Sequence, residues 1–238
     1  VKQPNKKKPQ KHTFIWGLGI LAFVIIFGGG LSLGAILVAP IPAAPISPAP
    51  TTSKLYQFQF YHGADLNEIL WDITKAGDYD KVVKFFDSYT KNHSVSEAIL
   101  NETLKQNVVV TQGFSLCWGE STYDPKAYHE NKINGVVVSI DRGLFQLNNT
   151  NRRKWTIEDF YDIQKNTHEG VATLKDDLLA YDSAQVLSIA GFNAGKYNIV
   201  DGIRFLTLNH ISHIVEYERN MEIDLNYFIN NWKAENKK

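Results

Sequence analysis

The chain has 238 residues, 25 basic and 25 acidic, and no formal net charge. The charges are unevenly placed: residues 1–11 hold five lysines and no acid, which leaves 20 basic against 25 acidic side chains in the remainder. A mildly acidic body lacks the positive stripe that phosphate binding needs, so nucleic acid is excluded as an expected partner, and a single cysteine, Cys117, excludes an intrachain disulfide.

In chain order, residues 1–13 read as a basic cytoplasmic tail. Residues 14–39 are uncharged and mostly apolar, longer than the about 20 helical residues that span a bilayer core. The lysines precede this run and only Lys54 is basic in residues 40–64. The positive-inside rule therefore predicts a single-pass anchor in the inner (cytoplasmic) membrane, with the body extracytoplasmic, in the periplasm. A cleaved signal peptide is the alternative, Ala43-Ala44 supplying small residues, but the apolar region of a signal is about 7–15 residues long. Residues 40–52 form a Pro/Ala-rich linker. Five prolines in the twelve residues 39–50 predict a stiff, extended spacer, because proline fixes φ and removes an amide donor.

The rest is long enough for one domain with a proper core, and helix periodicity dominates it. Leu66, Ile69, Leu70 and Ile73, then Val82, Val83, Phe85 and Phe86, place helices over 66–75 and 79–91. Ser94-x-x-Glu97 predicts a capping box that opens a helix through residue 106. Residues 53–106 are thus a helical N-terminal region. A largely apolar helix over 108–120 is central and buried. Residues 121–148 are irregular, with a short hairpin around Gly135 to Val138. Helices follow over 157–161, 167–181, 183–192 and 209–232. The fold class expected is mainly α, or α+β with a small loop or β patch.

Glu120 ends the apolar helix. Poor water access disfavours a carboxylate and keeps a carboxylic acid protonated, as a general acid requires, and the negative end of the helix pushes the same way. Asp141 to Asn148 (Asp-Arg-Gly-Leu-Phe-Gln-Leu-Asn) offers a turn at Gly143, an amide at Gln146 and a second carboxylate at Asp141. Phe192-Asn193-Ala194-Gly195 supplies an amide and a glycine at a helix end. Each motif alone also fits an ordinary helix end or turn. His210-x-x-His213 has metal-ligand spacing but lacks the pattern of a zinc hydrolase, and no metal or organic cofactor is expected. Trp118, Tyr123, Tyr128, Phe145 and Tyr197 suit sugar stacking or core packing equally, while Cys117 reads as core.

Together the ordered blocks resemble the soluble lytic transglycosylase (SLT) family of the lysozyme-like superfamily. Glu120-Ser-x-Tyr-Asp-Pro-x-Ala127, Gly143-Leu-Phe-Gln-Leu147, Asp162-x-x-x-Asn166-x-x-x-Gly170-x-x-x-Leu174 and Asn193-Ala-Gly195 carry the likeness, which covers roughly residues 107–215. The resemblance implies a lysozyme-like fold, with 107–238 as the catalytic domain, and peptidoglycan glycan strands as substrate. It implies Glu120 as the catalytic acid and then base, with Ser121, Phe145, Gln146, Asn193, Gly195 and His210 as substrate-binding residues of the groove. Phe192 and His210 stand where the family has tyrosines, and Tyr217 is an alternative to His210. Ser139 to Asn148 is more similar to true lysozymes, in which the Asp matching Asp141 is a second catalytic carboxylate. Three readings follow. They are a lytic transglycosylase forming 1,6-anhydro-muramyl ends, a retaining muramidase using Glu120 and Asp141, and a non-catalytic glycan-binding scaffold acting with other envelope-complex proteins.

Overall fold

The computed structural model describes residues 59–195 and 205–236. The expected tail, anchor and linker (1–13, 14–39 and 40–52) lie outside them. Among the described residues no helix is long and apolar enough to cross a membrane.

The element order is α1 (Ala64–Ile73), α2 (Tyr79–Thr90), α3 (His93–Gln106), α4 (Val110–Ser121), β1 (Tyr128–Ile133), β2 (Val136–Arg142), β3 (Leu147–Asn148), α5 (Ile157–Tyr161), α6 (Ile163–Ala180), α7 (Gln185–Ala194) and α8 (Phe205–Asn236). The described domain is mainly helical with one small antiparallel sheet in the order β1-β2-β3. A five-residue π turn, Thr74–Asp78, joins α1 to α2.

Helix α4 runs through the core. Val110, Phe114, Leu116 and Cys117 are fully buried, as its all-round apolarity predicts. Phe86 of α2 stacks on Phe114 with ring centroids 4.1 Å apart, which ties the N-terminal helices into the same core. On α8 the buried residues Ile211, Ile214, Met221, Leu225 and Ile229 are spaced by three, seven, four and four positions, whole turns of the helix that give one apolar stripe along it. Two asparagines extend that face with a different chemistry. Asn226 accepts from the Tyr61 amide (2.7 Å) and donates to its carbonyl (3.0 Å). Asn230 accepts from the Gln59 amide (3.2 Å) and donates to its carbonyl (2.9 Å). One helix face thereby satisfies the main chain of an extended segment as a neighbouring strand would.

Two local readings are corrected. The cap of α3 is Asn92, whose side chain accepts from the Val95 amide. Ser94 sits inside the first turn, and Glu97 instead faces His93 at 3.7 Å. The 121–148 segment is also more ordered than expected: strands of six and seven residues flank an Asn134-Gly135 turn with both residues at positive φ, the backbone a tight hairpin demands.

Candidate active site

Glu120 occupies the next-to-last position of α4, and its side chain is only 11 % exposed. Helix α8 comes very close here. A Cβ at Gly119 would lie 2.4 Å from Ile214 Cγ1, so only glycine allows this approach. The close crossing brings His210 to Glu120, with Nε2 3.3 Å from Oε1. Hydrogen bonding to Glu120 raises the imidazole pKa above its usual value, with burial opposing.

Glu120 opens into a polar cleft of about 480 Å³. The sheet supplies Asn131, Ser139, Asp141, Leu147 and Asn148. The turn after β2 supplies Gln146, and the end of α7 supplies Phe192, Asn193, Ala194 and Gly195. Asp141 is held from both sides: Asn131 Nδ2 donates to Oδ2 (2.7 Å) and Asn148 Nδ2 to Oδ1 (2.6 Å). Asn148 also donates to Ser139 Oγ at 3.0 Å.

The turn that carries Gln146 is fixed by α6. Gly143 has φ +77°, and a Cβ there would lie 2.3 Å from the Phe160 carbonyl and 2.4 Å from Asn166 Nδ2. Asn166, 1 % exposed, donates to the carbonyls of Arg142 (3.1 Å) and Phe160 (2.9 Å) and accepts from the Phe145 amide (2.9 Å). Gln146 Nε2 bonds back to the Gly143 carbonyl at 2.9 Å.

Residues 97–204 match the family model of the transglycosylase SLT domain. This chain carries an SLT domain. No curated protein and no solved structure matches the chain.

The structure brings Glu120, Asp141, Gln146, Asn193 and Gly195 of the SLT domain to one cleft and sets His210 against Glu120. Two predicted groove residues lie elsewhere. Phe145 is fully buried, its ring packed over Gly170 and near Phe192, so it shapes the core beneath the turn. Ser121 is 8 % exposed and its hydroxyl donates to the Cys117 carbonyl at 3.1 Å, a local helix bond that turns it inward. Tyr217 is also away from Glu120. It stacks on Trp118 with centroids 4.1 Å apart and meets the Tyr123 hydroxyl at 3.3 Å.

Of the remaining aromatic candidates, Tyr123 is core and Tyr128 is exposed on β1, while Tyr197 lies outside the described residues. Burial pushes the Cys117 thiol pKa well up, which leaves it unreactive. His213 is exposed, beside a separate hollow with Trp118, Glu216, Tyr217 and Asn220. Among the described residues no group of three or more His, Cys, Asp or Glu side chains is placed to hold a metal.

The sequence reading missed Asn131, Asn148, Arg152 and Thr173 as cleft residues. The hairpin turn alone does not reveal the first of them. The register set by Ile133–Val136 and Lys132–Val137 would pair Asn131 with Val138, but a bulge between Asn131 and Lys132 pairs Asn131 with Ser139 and His129 with Asp141, which sets Asn131, Ser139 and Asp141 on one face. Arg152 and Thr173 come from a loop and from α6, and no local pattern joins them.

Proposed function

We propose that this SLT domain is a lytic transglycosylase that cleaves the β-1,4 bond between N-acetylmuramyl and N-acetylglucosaminyl units of peptidoglycan. The observation that carries this reading is Glu120, almost sealed from solvent at the wall of a polar cleft and hydrogen-bonded to His210. Glu120 gives its proton to the glycosidic oxygen as the C1–O bond breaks, and the substrate's own acetamido oxygen supports the charge at C1. The Glu120 carboxylate then takes the proton of the muramyl 6-hydroxyl while O6 bonds to C1, closing a 1,6-anhydro ring. No water is consumed and Glu120 ends protonated, ready for another cycle. His210, one hydrogen bond away at 3.3 Å, orients the Glu120 carboxyl through both steps and takes no net part in the proton balance. Gln146 and Asn193 face the sugars with amide groups suited to hydroxyl and acetamido oxygens.

A retaining muramidase is the second reading, and the Asn131–Asp141–Asn148 clamp favours it. An anionic Asp141 in the same cleft would stabilise or capture C1. Mass spectrometry of digested sacculi separates the two. Transglycosylation leaves ends lighter by one water and persists in Asp141→Asn. Hydrolysis leaves reducing ends and collapses in that variant.

The proposal includes the setting. The apolar run 14–39 anchors the domain in the inner membrane and the proline-rich segment holds it in the periplasm, within reach of the wall. Protease digestion of intact spheroplasts tests this: removal of the domain supports it, and protection contradicts it.

A further inference from the structure

We propose that Arg152 is a specificity-determining residue, forming at one end of the cleft a subsite for a carboxylate carried by the muramyl unit. The inference rests on the function proposed above and adds which feature of the glycan is read. Among the described residues lining the cleft, Arg152 is the only cationic side chain. Its own side chain is 15 % exposed, and its compensation is thin. Nη2 donates to Thr173 Oγ1 at 3.1 Å and reaches Glu169 Oε2 only at 3.6 Å, where the glutamate is 41 % exposed and therefore well solvated. Its Nε is sealed from solvent with no acceptor. Desolvation lowers the guanidinium pKa, Glu169 offsetting this in part. Beyond its 3.6 Å pairing with Glu169 and a Trp155 ring 5.7 Å from its guanidinium carbon, this largely buried cation keeps an orphaned donor and so the capacity for a second anion.

The surroundings indicate where that partner enters. Thr150, Asn151 and Arg152 line both the catalytic cleft and an adjoining hollow of about 590 Å³, which continues over Arg153, Lys154 and Trp155. Three consecutive cations in an otherwise acidic body mark this end of the groove for an anion. In peptidoglycan the muramyl unit differs from its neighbour by a lactyl ether. Its carboxyl is either free or extended into a stem peptide with carboxylates of its own. A chito-oligosaccharide has neither, so a guanidinium here distinguishes wall glycan from neutral glycan through charge-assisted hydrogen bonds.

Calorimetric binding to the Glu120→Gln protein, with and without Arg152→Gln, tests the idea on three ligands of equal length: stem-bearing glycan, amidase-stripped glycan and chito-oligosaccharide. The expected result is about tenfold or greater weakening on one or both muramyl ligands, with chito-oligosaccharide binding unchanged. Loss confined to the stem-bearing ligand assigns the carboxylate to the peptide; loss confined to the stripped ligand assigns it to the lactyl group. Equal weakening on all three, or none, overturns the proposal. Where the parent binds muramyl ligands but Arg152→Gln changes nothing, only the Arg152 subsite falls. A parent that binds no glycan takes the proposed function down with it. A second readout needs no substitution at Arg152: parent binding to muramyl ligands should weaken as sodium chloride rises while chito-oligosaccharide binding holds steady. A flat salt response for all three also overturns the subsite.

Discussion

His210 stands where the resemblance leads one to expect a tyrosine, and the substitution changes what the neighbour of Glu120 can do. A phenol offers a hydrogen bond, whereas an imidazole 3.3 Å from the carboxylate also offers a proton near neutrality. The pairing raises the His210 pKa because the carboxylate favours the imidazolium. Replacing Glu120 with Gln removes that charge and should lower the His210 pKa, measured by NMR titration of the imidazole; an unchanged titration would show that the pair does not form. At this scale the sequence was partly legible. Glu120 is legible because an apolar helix and its end are local features, whereas the groove roles of Phe145 and Ser121 rest on the family resemblance alone. Side-chain direction decides between groove and core, and it depends on packing partners far along the chain, Gly170 for Phe145 and the Cys117 carbonyl for Ser121.

Among the elements, the junction of the β2 turn with α6 bears most directly on the cleft. Asp162 caps α6 by accepting from the Lys165 amide at 2.7 Å. One turn on, Asn166 satisfies three main-chain groups around Gly143. Asn166→Ala strands these groups in a buried site and should destabilise the domain by about 2–4 kcal/mol in denaturant unfolding; a loss below about 0.5 kcal/mol would mean that the turn holds without it. The helices were readable because their periodicity is local. The hairpin was readable only at its turn, since Val136, Val137 and Val138 are all exposed and give no alternation to follow. Asn92 outranked Ser94 as the α3 cap because Lys91, at φ 55°, ends α2 and leaves the next residue extended.

Over the whole domain, residues whose place in the fold the sequence left open prove to be part of one body. Phe86 stacks on Phe114, Asn67 bonds the Val108 carbonyl (2.7 Å) and the Val110 amide (2.9 Å), and α8 covers α4 while clasping residues 59–61. Glu218, 6 % exposed, interrupts the apolar stripe of α8. It accepts from Thr111 Oγ1 of α4 at 3.4 Å and from Gln185 of α7, so it joins the two helices whose far ends carry Glu120 and Asn193. Burial, with Glu222 adding to it, pushes its pKa from 4.5 up to about 7. The folded state therefore holds a proton that the unfolded chain releases between these values, and stability falls as pH rises through that window. At about 1.4 kcal/mol per unit the effect is on the order of 3 kcal/mol at most. Glu218→Gln keeps the hydrogen-bonding shape and should flatten the decline between pH 4.5 and 7 relative to the parent; identical pH profiles would contradict the assignment. The measurement that bears most directly on the whole account is the release of soluble fragments from purified sacculi by the parent and by Glu120→Gln at equal folded concentration. The account predicts anhydro-ended fragments from the parent and at least a hundredfold slower release from the variant, and equal release from both would contradict it.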